Sequence, residues 1–151
     1  MGTIMKNILL AFALALLTAC TGMMQTKPAQ PPAKDVLYRE LGGTEGITRT
    51  VDLFLQRVNA DARINTLFAK VDHNDLRRLL IEQLCQISGG PCTYTGRSME
   101  EAHSGLNLTD KDFDNFVGDL TAGMNDAKLP KTTQKKLLAL LSPMRKQVVG
   151  Q

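Results

Sequence analysis

The chain has no tryptophan, two tyrosines and five phenylalanines, so aromatic residues make up only 5% of it. Runs in which β-branched or aromatic residues alternate with polar ones are missing too, although hydrophobic residues reach 43%. A β-sandwich or barrel needs such runs, and their scarcity leaves an all-α core built from Leu, Val, Ile and Met. Charge of one sign does not dominate either, since the formal balance is +3. Lys and Arg look scattered rather than gathered around stacking aromatics, which excludes nucleic acid as a partner. Only two histidines, His73 and His103, and three cysteines, Cys20, Cys85 and Cys92, are available for metal or nucleophile chemistry. A structural zinc site needs four Cys or His at close, regular spacing, and the two of each found after residue 34 do not supply it.

What is present begins with a targeting signal. Lys6 precedes an apolar run from Ile8 to Leu17, followed by Thr18, Ala19 and Cys20. About ten apolar residues are too few to span a bilayer as a helix, so residues 1–19 read as a secretory signal peptide. Leu17-Thr18-Ala19-Cys20 also resembles a bacterial lipobox. That resemblance implies cleavage before Cys20, lipidation of its sulfur, and anchoring in the bacterial cell envelope facing the periplasm. Residues 20–34 continue as TGMMQTKPAQPPAK after Cys20, with three prolines and no periodicity, and read as an extended tether. The folded domain is expected over residues 35–151.

Within that domain the apolar residues recur at helical spacing. Leu37 and Leu41 suggest a short first helix broken by Gly42 and Gly43, with Thr44 as cap of the next. Ile47, Val51, Phe54, Leu55 and Val58 then share one face. After Asn59-Ala60-Asp61, residues Ile64, Leu67 and Phe68 suggest a single turn, and Asp72 caps a helix carrying Leu76, Leu79, Leu80, Leu84 and Ile87. Thr109 and Asp112 open a helix with Phe113, Phe116, Val117, Leu120 and Met124, and a last helix carries Leu137, Leu138, Leu141 and Met144. Pro143 should kink or end that helix.

Between these helices lies Gly89 to Gly105, GGPCTYTGRSMEEAHSG. Gly89, Gly90 and Pro91 stop one helix. Ser98 and Glu101 form a capping box that starts a very short one, and Gly105 ends it. His103 is therefore held at both ends. Cys85 and Cys92 flank the glycine turn, and in an exported protein such a pair is expected as a disulfide, worth about 2 to 3 kcal/mol for so short a loop. No CxxCH occurs, so covalent haem attachment is not indicated. Two readings of His103 stand at this point: an ordinary capping histidine, or the axial ligand of a non-covalent haem in an apolar pocket.

Residues 36–148 resemble the group I truncated haemoglobins, small globins with a two-over-two helical arrangement. The residues that carry the resemblance are Leu41-Gly42-Gly43, Asn59-Ala60-Asp61, Phe68, Val71-Asp72 and Gly89-Gly90-Pro91, then Tyr94-Thr95-Gly96-Arg97 and Met99 four residues before His103. The resemblance implies that His103 is the proximal ligand of haem b, that Phe54, Phe68, Leu76, Leu80, Leu84 and Met99 wall the pocket, and that Tyr94 lies near a propionate. Where family members commonly have a distal tyrosine this chain has Leu55, and where they have polar residues it has Leu76, Leu79 and Leu80. A hydrogen-bond donor beside bound dioxygen is worth roughly 1 to 3 kcal/mol, so an apolar distal side implies weak retention of dioxygen, with carbon monoxide and nitric oxide less affected. Nitric oxide handling or sensing is the expected role, supported by an unidentified electron donor. A haem-free interaction module and a haem-dependent nitric oxide dioxygenase or peroxidase are the alternatives. His73 as a second axial ligand, and Arg77 and Arg78 as propionate partners or as a solvated face, complete the expectations.

Overall fold

The structure, a computed structural model, describes residues 34–151. The signal peptide, Cys20 and the tether up to residue 33 lie outside the described residues. Every regular element among the described residues is helical: α1 (Val36–Glu40), α2 (Gly43–Ala60), a 3₁₀ turn (Asn65–Phe68), α3 (His73–Ile87), α4 (Met99–His103), α5 (Asp110–Asp126), α6 (Lys131–Leu141), a second 3₁₀ turn (Ser142–Met144) and α7 (Arg145–Val148).

Local chemistry explains most boundaries. Asp72 accepts hydrogen bonds from the N–H groups of Asn74 and Asp75 and starts α3. Thr109 and Asp112 exchange side-chain and backbone bonds in a capping box at α5. At α2 the expectation for Thr44 is corrected. Gly42 is the cap residue, in a left-handed conformation with φ of 87°, and Thr44 falls inside the first turn, where its hydroxyl meets that of Tyr38 at 2.9 Å. Because Gly42 and Gly43 both take positive φ, the chain reverses into α2 without a side-chain cap. Pro143 ends α6 at Leu141, and the chain continues as a 3₁₀ turn into α7.

The glycine pair after α3 does more than stop a helix. A β-carbon at Gly89 would lie 1.8 Å from the Lys34 carbonyl, and one at Gly90 would meet the Tyr38 ring and Cys85 Sγ. The start of the domain is thus laid directly over this turn, and the Tyr38 N–H donates to the Ser88 carbonyl there. Cys85 and Cys92 are joined by a disulfide, with Cα atoms 5.7 Å apart.

α2 is the element on which the others rest, packing along both α3 and α5. Phe54, Val51, Ile47 and Val58 of α2 are buried with Leu120 and Met124 of α5 and Leu137 of α6. The Phe54 and Phe116 rings meet edge to face with centroids 4.8 Å apart. Close approach of α2 and α5 depends on Gly123, whose missing β-carbon would sit 2.8 Å from the Phe54 backbone. Gly123→Ala should therefore cost about 1 to 3 kcal/mol of stability by overpacking, read as a lower denaturant midpoint.

One polar group in this core is out of place. Asp119 is buried, and its Oδ2 has no hydrogen-bond partner among the described residues. Burial pushes its carboxyl up, and the neighbouring Asp61 carboxylate adds to the effect. Hydrogen bonds from Arg63 hold Asp61 itself down to about 2. The two groups act with opposite sign. Asp61 supports the fold above the ordinary carboxylate range and loses that support as pH falls toward 2, whereas Asp119 weakens the fold as pH rises and it ionises. Asp119→Asn should raise the thermal midpoint at pH 7 and have little effect near pH 4, measured as paired melts.

Candidate functional site

The site is organised by α4, a helix of five residues that its own caps define. Ser98 Oγ accepts from the Glu101 N–H at 3.2 Å, and Glu101 Oε2 accepts from the Ser98 N–H at 3.1 Å. Donation from the Ser98 hydroxyl at 3.0 Å, and then from its N–H, holds the Glu101 carboxyl below its ordinary range. His103 closes the helix half-buried, and its Nδ1 lies 2.6 Å from the Met99 carbonyl oxygen. A carbonyl only accepts, so Nδ1 carries the proton and Nε2 is left with its lone pair free. That is the tautomer a metal-binding imidazole needs.

The loop leading into α4 has no regular structure, and side chains of α3 satisfy its backbone. Gln86 Oε1 accepts the Tyr94 N–H at 2.6 Å, and Glu82 Oε2 accepts both the N–H and the hydroxyl of Thr95 at 3.0 and 2.7 Å. With the Cys85–Cys92 bridge, three ties at helical spacing along α3 fix the approach to α4.

His103 lines a cavity of about 340 Å³, a size suited to a small organic ligand. Phe54, Phe68, Leu76, Leu80 and Leu84 also line it, as do Tyr94 and Met99. Leu55 differs from the expectation. It is buried in the core but is not among the lining residues, because it lies about 100° round α2 from Phe54, and Val51 and Phe54 form that part of the wall. His73 is exposed at the first position of α3 and does not line the cavity, so a second histidine ligand finds no support. Arg77 and Arg78 are engaged elsewhere. Arg77 donates to both carboxylate oxygens of Asp52, and Arg78 to Asp75, Glu82 and Thr95.

Other lining residues were read from sequence as packing or not singled out. Phe113, Phe116 and Val117 of α5 and Leu141, Met144 and Val148 from the last helices close the cavity. Arg97 is its one cationic lining residue among the described residues, and it makes no ion pair there. Tyr94 folds over Gly96, and burial pushes its hydroxyl up. Gln83 is the polar interruption of the apolar stripe on α3, four residues after Leu79, which is the signal that marks it. Its Nε2 points at the sulfurs of Met99 and Met144, 3.2 and 3.9 Å away.

Residues 36–150 match the model of the bacterial-like globin family. The chain belongs to that family. Its relatives include the group 1 truncated haemoglobin of Synechocystis sp., 37% identical over 99 residues that span 63% of this chain and 80% of the relative. The solved truncated haemoglobin of Tetrahymena pyriformis in its Fe(III) form superposes with a TM-score of 0.74 at 29% identity, over 76% of this chain and 98% of its own. The 2/2 haemoglobin of Synechococcus sp., solved in the cyanomet state with covalently attached haem, gives 0.71 at 25% identity over the same shares. The all-helical fold is therefore that of a truncated 2/2 globin.

Globins bind haem, and the residues of this globin fit it. The cavity is walled mostly by carbon, which holds a flat macrocycle by area burial. A single imidazole presents a free Nε2, and Arg97 and Tyr94 stand where carboxylate side groups would need a cation and a hydroxyl. Thioether sulfur is a weak acceptor, so Gln83 holds its amide in the cavity wall with poor partners. Gln83→Leu should leave the globin as stable or raise its stability by up to about 1 kcal/mol, checked by denaturant titration.

Proposed function

We propose that this globin is a haem b protein of the bacterial cell envelope that reversibly binds diatomic gases and serves nitric oxide handling or sensing rather than oxygen storage. The observation that carries the reading is the His103 imidazole, fixed by the Met99 carbonyl with Nε2 free in an apolar cavity. Bound haem supplies an iron position open to a gas. His103 would hold that iron through Nε2, with its ring fixed by the bond from Nδ1 to the Met99 carbonyl. Leu84 and Phe68 would shield the bound group from water, and Arg97 and Tyr94 would meet its propionates.

Selectivity comes from the wall that α2 and α3 form. Val51, Phe54, Leu76, Leu79 and Leu80 offer a bound gas no hydrogen-bond donor, and the one amide on α3 that lines the cavity, Gln83, is turned to the sulfurs of Met99 and Met144. Dioxygen gains more from such a donor than carbon monoxide or nitric oxide does, so the wall lowers retention of dioxygen in particular. The same wall lacks the acid–base group that peroxide chemistry wants. Envelope location rests on Leu17-Thr18-Ala19-Cys20, and the Cys85–Cys92 bridge supports an oxidising compartment.

Purified protein given hemin should show a Soret band that His103→Ala removes, and Leu80→Gln should slow dioxygen release at least about fivefold while changing carbon monoxide affinity less. Colourless protein that refuses hemin would leave the haem-free interaction module as the reading. Slow dioxygen release from the unaltered protein would reject the apolar-wall argument alone.

A further inference from the structure

The near-neutral formal balance hides a strong polarity along the chain. Residues 127–151 contain six Lys and Arg and no Asp or Glu, whereas residues 35–126 contain nine Lys and Arg against fifteen Asp and Glu. Every acidic residue of the protein lies ahead of α6. Such asymmetry is the mark of a surface that meets a polyanion or an anionic membrane.

The fold concentrates this charge on the outer face of α6. Thr133, Gln134, Leu137 and Leu141 are buried on one side of the helix. Lys131, Lys135 and Ala139 form the exposed stripe opposite, flanked by Lys136 and Leu140, with Leu140 41% exposed. Lys128 precedes the stripe, exposed at a positive-φ turn. Lys136 is neutralised by Glu40 at 2.6 Å and Lys131 is bonded only to uncharged Asn125. Lys128 and Lys135 have no ion-pair partner among the described residues.

We propose that the exposed face of α6, with Lys131 and Lys135 and with Lys128 just ahead of it, docks the domain on an anionic phospholipid surface. Lysine stems lie along the interface while their ammonium groups meet phosphate. Among the described residues no helix is long and apolar enough to cross a membrane, so the contact is peripheral. The absence of a stacking aromatic on this face disfavours nucleic acid. Residues 1–33 join the domain just ahead of α1, and α1 packs on α6 through Glu40, bonded to Thr133 and Lys136. From Cys20 the intervening chain reaches about 45 Å when extended, enough for a lipid anchor and this face to use one bilayer. Leu141 and Met144, on and just after the same helix, line the gas cavity, so the membrane would lie one helix width from it.

This goes beyond gas binding and rests on the envelope reading only for the presence of a membrane. The test separates the two, because protein beginning at Pro31, the edge of the compact unit, cannot be lipidated at Cys20. That unit corresponds to the solved Tetrahymena relative, 98% of which it covers, so it folds without the preceding segment. It is also nearly neutral, with sixteen Lys and Arg against fifteen Asp and Glu, so binding by net charge alone is not expected. In flotation at low salt it should bind vesicles of equal phosphatidylglycerol and phosphatidylcholine, ignore phosphatidylcholine alone, and be released by high salt. Replacing Lys128, Lys131 and Lys135 with Gln should weaken binding about 100-fold, at about fivefold per lysine. Replacing Arg49, Lys70 and Lys111 with Gln, an equal charge change on other elements, should leave it intact, with far-UV spectra confirming that both variants fold. Equal loss in the two variants, equal binding to neutral vesicles, or no binding at low salt would overturn the proposal. Polyglutamate capture governed by the same three lysines, without vesicle binding, would assign the face to an acidic protein partner instead.

Discussion

The hydrogen bond between His103 Nδ1 and the Met99 carbonyl at 2.6 Å fixes which face of the imidazole the cavity receives. It is an i to i+4 contact inside a five-residue helix, far too short to persist alone in water. Its persistence depends on everything around it. The Ser98–Glu101 box supplies the start of the helix, Glu82 and Gln86 tether the strand of loop before it, and α7 packs against it from the other side. Arg145, at the first position of α7, is in turn held by Asp110 and Asp114 and by the face of the Phe113 ring at 4.4 Å. The imidazole is fixed because α3, α5 and α7, together with the capping box of α4 itself, agree on where α4 sits.

The cavity that this imidazole enters lies among α2, α3 and α5, where α2 approaches α5 closely at Gly123. Its lining is almost all hydrocarbon, and the polar groups in it are mostly committed elsewhere. Asp72 caps α3, Asp75 holds Arg78, and Asp112 completes the box at Thr109. What stays uncommitted is chemically narrow: one imidazole nitrogen, one guanidinium, one phenol and the Gln83 amide, which has only thioether sulfurs as partners. In the proposed gas binding, a wall of Leu on α3 would shape selectivity through what it withholds, since a buried donor has a large effect on a polar ligand and little on an apolar one.

Charge follows a different logic from the core. Ion pairs such as Arg57 with Asp126, Arg77 with Asp52 and Lys136 with Glu40 join elements distant in sequence, yet all are substantially exposed and contribute little stability individually. Lys128, Lys131 and Lys135 are among the cations left without an ion pair among the described residues, and the placement of the two on α6 arises from the helical period.

Much of the architecture was legible in the residues because the interactions that set it are local. Asp72, Ser98 and Thr109 cap helices with partners two or three residues away, and Gly89 and Pro143 end them, so a reader of the chain can place α3, α4 and α5 and the histidine between them. The resemblance carried by Tyr94, Met99 and His103 named a pocket that the fold then brought together. Thr44 was misread because two consecutive glycines with positive φ replace a side-chain cap, a backbone choice that composition does not reveal. Phe54 rather than Leu55 faces the cavity because the azimuth of α2 is set by its crossing with α5, which no periodicity within α2 contains. Arg97 and Gln83 gained meaning only once α3, α4 and the chain end closed one space around them. Sequence alone decides contacts within a helical turn, where the covalent chain limits the options. Tertiary structure alone decides which way a helix is rolled and which charges are left without partners, because those depend on residues tens of positions away.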